Sequence, residues 1–255
     1  MVNFGGDEPH QFNQHDAGFA VKKSVYMWAE LPSLFMALLV LGNCSNASPT
    51  ATVPESCPSG MVSVDSFCVD QYEAHLDGRS PYDVPTNGVA VSEEGVVPQG
   101  YISGDVADAA CRAAGKRLCT SGEWLRACEG PTGTTYPYGD VYQPNTCNEG
   151  RETHPVIELF GSAADWSSRQ MNDPRLNQLA NSLDAAGANP ACVSAEGVYD
   201  MHGNLHEWVA DADGTFRGGF YVDARINGAG CSYRTTAHGR SYHDYSTGFR
   251  CCSDL

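Results

Sequence analysis

With 255 residues the chain has room for one large domain or two small ones. Its 27 glycines and an 18% share of charged residues suit a loop-rich globular fold rather than a helical bundle or a disordered chain. The formal net charge of −16 repels phosphate backbones and anionic headgroups, which argues against a nucleic-acid partner. In chain order, the polar stretch Met1–Ala20 is odd for an export signal and reads as a mis-assigned start, with translation beginning near Val21. Lys22 and Lys23 then precede an apolar run, Leu34–Leu41, and Ser45-Asn46-Ala47 supplies small residues at the cleavage positions, so 21–47 reads as a signal peptide. The apolar run is too short to span a bilayer. Lipid anchoring at Cys44 is the rival reading, although Asn43 stands where that signal wants a small residue.

Residues 48–56 form a Ser/Thr/Pro-rich linker, and a domain is expected over 57–255. Met61–Val64 and Phe67–Val69 read as strands around a tight Asp65-Ser66 turn, stapled by Cys57 and Cys68. Asp77–Gln99 is rich in Gly, Pro and Asp without a period, and reads as surface loop. A first helix starts at Ser103 as N-cap, carries Asp105 and Asp108 in its first turns, and stops at Gly115. A second opens on a capping box, Thr120 with Glu123, and runs to Gly130. Beyond it the pattern is loop and short strand, with weak helical material at Arg175–Ala180. The fold class is therefore α+β with much non-repetitive structure. Eleven cysteines in a chain of this size read as a disulfide framework in an oxidising compartment, hence export to the periplasm, cell surface or medium. Removal of Cys44 with the signal would leave ten, an even number.

Seven segments in order carry a resemblance. They are Cys68–Glu73 (CVDQYE), Ala113–Leu118 (AAGKRL), Glu123-Trp124, Tyr136–Gly139 (YPYG), Gly197–Trp208 (GVYDMHGNLHEW), Arg217–Gly219 (RGG) and Gly248–Cys251 (GFRC). Together they resemble the formylglycine-generating enzyme, or sulfatase-modifying factor, family, whose fold is similar to that of C-type lectins. The match runs from about Cys57 to Cys252. It implies a calcium-stabilised domain with little regular secondary structure. In catalytic members copper and two cysteines use oxygen to convert a cysteine of a sulfatase peptide to formylglycine. Other branches bind ligands on the same scaffold, so fold alone does not decide function.

Carried onto this chain, the resemblance implies a calcium site from the Asp200 and Glu207 side chains and the Gly203 and Leu205 carbonyls. Calcium wants six to eight hard oxygens, which such a turn can offer. Against this, Asp200 can be a turn residue and Glu207 the partner of an arginine. A second calcium site would fall at Asn148 and Glu149, although the loop before Gly197 differs here. His202 and His206 have the spacing of a zinc helix, but Gly203-Asn204 opposes a helix and no third ligand is apparent, so they read as surface or groove histidines.

A copper(I) thiolate site needs two soft sulfurs on one ion. In the family's enzymes that pair sits five residues apart after the Arg-Gly-Gly segment. Cys231 matches the second position and is the one catalytic candidate, but the first falls on Ile226, so copper is not expected. Phe220 replaces a serine and His206 a groove tryptophan of the catalytic members. Family spacing implies a Cys111–Cys251 bridge, and Cys147 with Cys192 could form another. The four cysteines left admit Cys128–Cys231 with Cys119–Cys252, which would make Cys231 structural; the sequence leaves the connectivity open.

The segment between Arg217 and Arg250 is dense in recognition groups: Tyr221, Asp223, Arg225, Tyr233, Arg234, His238, Arg240 and Tyr242 are the expected contacts. The bland alternative makes half of them core and half solvated. The expected function is a secreted, calcium-stabilised, non-catalytic module binding a peptide, glycan or protein. The alternative is an oxidase of the family whose metal site uses other groups.

Overall fold

The first two short strands owe their pairing to a two-residue turn. The computed structural model describes residues 56–255, so the export signal, Cys44 and linker residues 48–55 lie outside the described residues. In chain order the strands are β1 (Met61–Val64), β2 (Phe67–Asp70), β3 (Ala74–Leu76), β4 (Ala90–Ser92) and β5 (Arg117–Leu118), with helices α1 (Gly104–Ala113) and α2 (Ser121–Glu129) around β5. Two short helices, α3 (Pro155–Phe160) and α4 (Ser168–Met171), follow. Strands β6 (His206–Trp208), β7 (Phe216–Arg217), β8 (Arg234–Thr235), β9 (Thr247–Phe249) and β10 (Cys251–Asp254) complete the chain.

Asp65 takes the left-handed conformation that closes the β1–β2 turn, at φ 50°. The C-terminal β10 inserts beside β2 and carries β5 on its other edge, giving the sheet order β1-β2-β10-β5. A second sheet, β8-β7-β6-β9, contains one parallel pair, β6 with β9, in which His206 faces Thr247. Glycine and turn residues separate strands of two to four residues, so neither sheet shows a readable alternation along the sequence.

Both long helices begin where their caps require. Ser103 Oγ accepts from Val106 N–H at 3.3 Å, and the chain leaves α1 through Gly115 at φ 72°. Thr120 and Glu123 form the reciprocal capping box, which turns the apolar face of α2, Trp124, Ala127 and Cys128, into the core. Two expectations are corrected. Asp77–Gln99 is not simply surface loop, since Ala90–Ser92 pairs with β3 and Gln99 is buried, its amide nitrogen donating to the Pro81, Asp83 and Gly100 carbonyls. A three-residue strand is too short to display a period. The helical material at Arg175–Ala180 contracts to a 3₁₀ turn at Leu176–Gln178, while α3 and α4 arise where no period was legible.

Five disulfides tie the described residues: Cys57–Cys68, Cys111–Cys251, Cys119–Cys252, Cys128–Cys231 and Cys147–Cys192. Adjacent Cys251 and Cys252 point to opposite faces of β10, as successive strand residues must, and so fasten β10 to α1 on one side and to the entry of α2 on the other. The joins enclose 140 and 133 residues of sequence separation, where removing loop freedom from the unfolded chain has its largest effect.

Glu207 and Arg250 form an ion pair with no solvent exposure on the arginine and almost none on the glutamate. Arg250 Nε reaches Glu207 Oε2 at 2.6 Å and Nη2 reaches Oε1 at 2.5 Å, while Nη1 and Nη2 also donate to the Asp70 and Tyr199 carbonyls. Arg250→Met leaves a bare carboxylate in the core and is expected to lower unfolding free energy by about 3–5 kcal/mol. Urea denaturation followed by fluorescence checks this.

His154 supplies a pH-dependent element. Its Nδ1 accepts from Val156 N–H to cap α3, and its Nε2 pairs with the Tyr245 hydroxyl at 2.9 Å. Burial, and then the Arg151 charge, push its pKa down to about 4. The unfolded chain therefore binds the proton more readily between pH 6.5 and about 4. The stability contributed by neutral His154 is present above pH 6.5 and is lost as the pH falls through that window. His154→Asn keeps a capping acceptor, and thermal melts across the window are expected to show a flatter acid limb than the parent.

Candidate aromatic binding site

The sheet β8-β7-β6-β9 places one ring after another on a single wall. Phe216 and His206 stand on neighbouring strands with ring centroids 4.5 Å apart, and Phe220, just past Gly218-Gly219, approaches His206 at 4.8 Å. Tyr233 comes from the turn before β8, and Tyr242, Asp244, Tyr245 and Ser246 from the loop entering β9. With Met171, from the end of α4, these groups line an open cavity of about 250 Å³. Gly219 makes the turn possible: its φ is 75°, and a Cβ there would lie 2.3 Å from Ala224 Cα.

The polar groups of the cavity are wired to each other. Asp244 Oδ1 accepts from Ser246 N–H at 2.8 Å and from its hydroxyl at 2.7 Å; Oδ2 accepts from the Tyr242 hydroxyl at 2.6 Å. His206 spends Nδ1 on Ser246 Oγ at 3.1 Å and Nε2 on the Tyr233 hydroxyl at 3.3 Å. The Tyr233 hydroxyl gives its one proton to Asp223 Oδ2 and accepts from Asn227 Nδ2. Burial pushes the His206 pKa down to about 3, with the His238 charge acting in the same direction. Burial likewise raises the Asp244 carboxyl, although its hydrogen bonds work against that.

Of the residues expected to contact a ligand, Tyr233, His238 and Tyr242 meet in this cavity, with His238 and Tyr242 stacked at 3.7 Å. Asp223 reaches it only through Tyr233. The others go elsewhere. Tyr221 is core, its hydroxyl donating to Asn177 Oδ1, and Arg240 is a strut that binds Asp105 and the Gly104, Val209 and Asp211 carbonyls. Arg225 lies over the Tyr142 ring at 4.5 Å beside Glu149, and Arg234 is exposed on β8. Of the two histidines expected at the surface or in a groove, His206 lines this cavity, whereas His202 is buried and packs edge-on to Tyr136 with neither ring nitrogen partnered. Met171, Phe216, Asp244 and Ser246 were not singled out in the sequence. Nothing local marks them, because they come from three separate segments: α4, β7 and the loop entering β9.

At the implied metal positions the side chains already have protein partners. Glu207 uses both oxygens on Arg250, and Oε2 also accepts from Trp124 Nε1 at 2.6 Å. Asp200, at φ 58°, accepts from Gly187 N–H at 2.7 Å. Asn148 turns its amide nitrogen to Ser182 and Asn204, and Glu149 is taken by Tyr142 and Arg225. Among the described residues no three His, Cys, Asp or Glu side chains converge as a metal site. Cys231 is joined to Cys128, and Ile226 sits 83% exposed on a turn held by Asp223 Oδ1, so no thiolate pair exists at the position of the family's copper site.

The profile of the Sulfatase-modifying factor enzyme 1-like domain matches residues 45–255. The chain belongs to this family. Among curated proteins of the family, it is similar to the inactive C-alpha-formylglycine-generating enzyme 2 of Bos taurus, at 28% identity over 177 residues covering 65% of this chain and 53% of that one. The Mus musculus protein of the same name gives 27% identity, with 65% and 52% covered. The chain thus spans about half the length of these relatives. Among solved structures, PvdO from Pseudomonas aeruginosa matches at 17% identity and TM-score 0.47, covering 74% of this chain and 80% of that one. The Major Tropism Determinant U1 variant matches at 15% and 0.48, covering 78% and 53%. The α+β arrangement with little regular secondary structure is that of the sulfatase-modifying factor fold.

Two measurements follow from the site. Alkylation of the native chain without reductant, followed by peptide mapping, is expected to label no cysteine from Cys57 to Cys252. Treatment with EGTA is expected to leave the melting temperature unchanged; a fall restored by calcium would show that the acidic turn binds the ion in spite of the Arg250 contact.

Proposed function

We propose that this chain is an exported, non-catalytic binding module built on the formylglycine-generating scaffold. Its aromatic cavity is the contact surface for a peptide, glycan or protein ligand. One observation carries the reading: at the two positions that resemble the copper-binding cysteine pair, the chain has an exposed isoleucine and a cysteine consumed in a disulfide. A sulfur in a disulfide is neither a thiolate ligand nor a nucleophile. The wall that resembles the substrate groove of the enzymes is also altered, with Phe220 and His206 facing each other across it. The two curated relatives bear the word inactive in their names, which supports the same direction for this chain.

Export is supported by the five disulfides, which persist in oxidising compartments. Among the described residues no helix is long and apolar enough to cross a membrane. The reading requires neither copper nor calcium.

The experiment is oxygen consumption with a cysteine-containing sulfatase peptide, with and without added copper(I), alongside copper titration. The expected result is no turnover and no tight stoichiometric copper binding. Turnover would replace this reading with that of an oxidase using groups other than a cysteine pair.

A further inference from the structure

The cavity on the second sheet has a consistent electrostatic character. Its rings pack on one another at tilted or edge-to-face angles: His206 with Phe216, with Phe220 and with Tyr233, and Phe220 with Tyr245 at 5.8 Å. An aromatic face carries negative quadrupolar potential and attracts a cation within about 6 Å of its centre. Two features strengthen that potential here. The Tyr242 hydroxyl donates to Asp244 and the Tyr233 hydroxyl to Asp223, so each phenol ring has a carboxylate drawing on its proton and feeding electron density into the ring. Asp244 itself lines the cavity. Among the described residues that line it there is no lysine or arginine; the side chains there that can carry a positive charge are His206, whose pKa burial lowers, and His238, stacked on Tyr242. The charge of the chain, −16, favours the approach of a cation over that of an anion.

The hydrogen-bond inventory selects the kind of cation. Asp244 already accepts from three donors, and both tyrosine hydroxyls have spent their protons on carboxylates. A primary ammonium brings three N–H donors that need acceptors once water is lost, and Asp244, with three of its lone pairs taken, has little capacity left for them. A quaternary nitrogen carries the charge without any donor. A volume of about 250 Å³ suits a head group rather than a whole ligand. A neighbouring cavity of about 340 Å³, lined by Trp166, Asn172 and His243, lies beside it and shares Met171 and Tyr242 with it.

We propose that the cavity is an aromatic cage for a quaternary methylammonium group, with Phe220, Tyr233 and Tyr242 as its contact faces and Asp244 as the buried counter-charge. This rests on the reading of the chain as a binding module and names the chemistry that the module recognises.

Isothermal titration with choline and with 3,3-dimethyl-1-butanol, its neutral isostere, tests it on the full chain. Choline is expected to bind at least about threefold more tightly than the alcohol, the lower range of a cation–π contribution. Ethanolamine, the primary amine, is expected to bind more weakly than choline. Phe220→Leu keeps an apolar side chain at a partly buried position but removes a π face, and is expected to lower the choline preference while the near-ultraviolet circular dichroism stays native. Equal affinity for choline and the alcohol, tighter binding of ethanolamine, no binding of choline, or a preference that Phe220→Leu leaves intact would each overturn the proposal. Such failure leaves the binding-module reading in place as long as oxygen consumption is absent; oxygen consumption would remove that reading whatever choline does.

Discussion

The pairing of Glu207 with Arg250 is the constraint on which the rest of the domain depends. Glu207 belongs to β6 and Arg250 lies between β9 and β10, so one ion pair joins the two larger sheets. Trp124 of α2 adds its indole N–H to the same carboxylate, and the guanidinium reaches back to the carbonyls of Asp70 and Tyr199. Burial alone would discharge such a group; here the Glu207 charge and hydrogen bonds outweigh it and the Arg250 pKa is raised. A pair of this kind adds little net stability over an apolar core of the same shape, but an unpaired charge left in its place is strongly unfavourable. It therefore specifies which segments meet, in a domain whose short strands have little registering power of their own.

A second tier of buried polar groups extends this role. Glu73 accepts from Leu205 N–H and from the Asn204 side chain, and Asp70 accepts from Lys116 and Cys251 N–H. Burial, then the Asp200 and Glu207 charges, push the Glu73 carboxyl well up. Many of the motif residues that mark the family in the sequence are thus internal fasteners. Their agreement with the family reports a shared fold, whereas the residues that would report shared chemistry, at 226 and 231, do not agree.

The cavity is where the scaffold leaves freedom. Its rings come from β6, β7 and the connections flanking β8 and β9, and the fasteners beneath them hold those connections in place. The Cys128–Cys231 bridge anchors the loop after Ile226 to α2 and so sets the approach of Tyr233 to His206. What would be a reactive sulfur in an oxidase serves here to position a wall of the pocket. Loops on a rigid frame are where binding surfaces diversify with least cost to folding.

Local chemistry was legible in the sequence. The Ser103 and Thr120 caps, the Asp65-Ser66 turn and the family motifs can be read without a structure because each is decided by residues within a few positions of one another. The absent partner for Cys231 was equally plain, since a side chain without sulfur at 226 cannot bind a soft metal. Tertiary structure alone decided the rest. Whether Glu207 faced a calcium ion or Arg250 depends on two groups 43 residues apart. That Tyr221 is core while Tyr233 and Tyr242 line a cavity depends on which face of the chain each loop presents, and glycine turns at 218 and 219 break any periodicity that could carry that information. Asp244, Ser246 and Met171 carried no signal, because a pocket wall assembled from distant segments has no spacing to read. By itself the sequence determined the family, the capped helices and the loss of the cysteine pair; the long-range packing of short elements decided where the charges are paired and where the aromatic cavity lies.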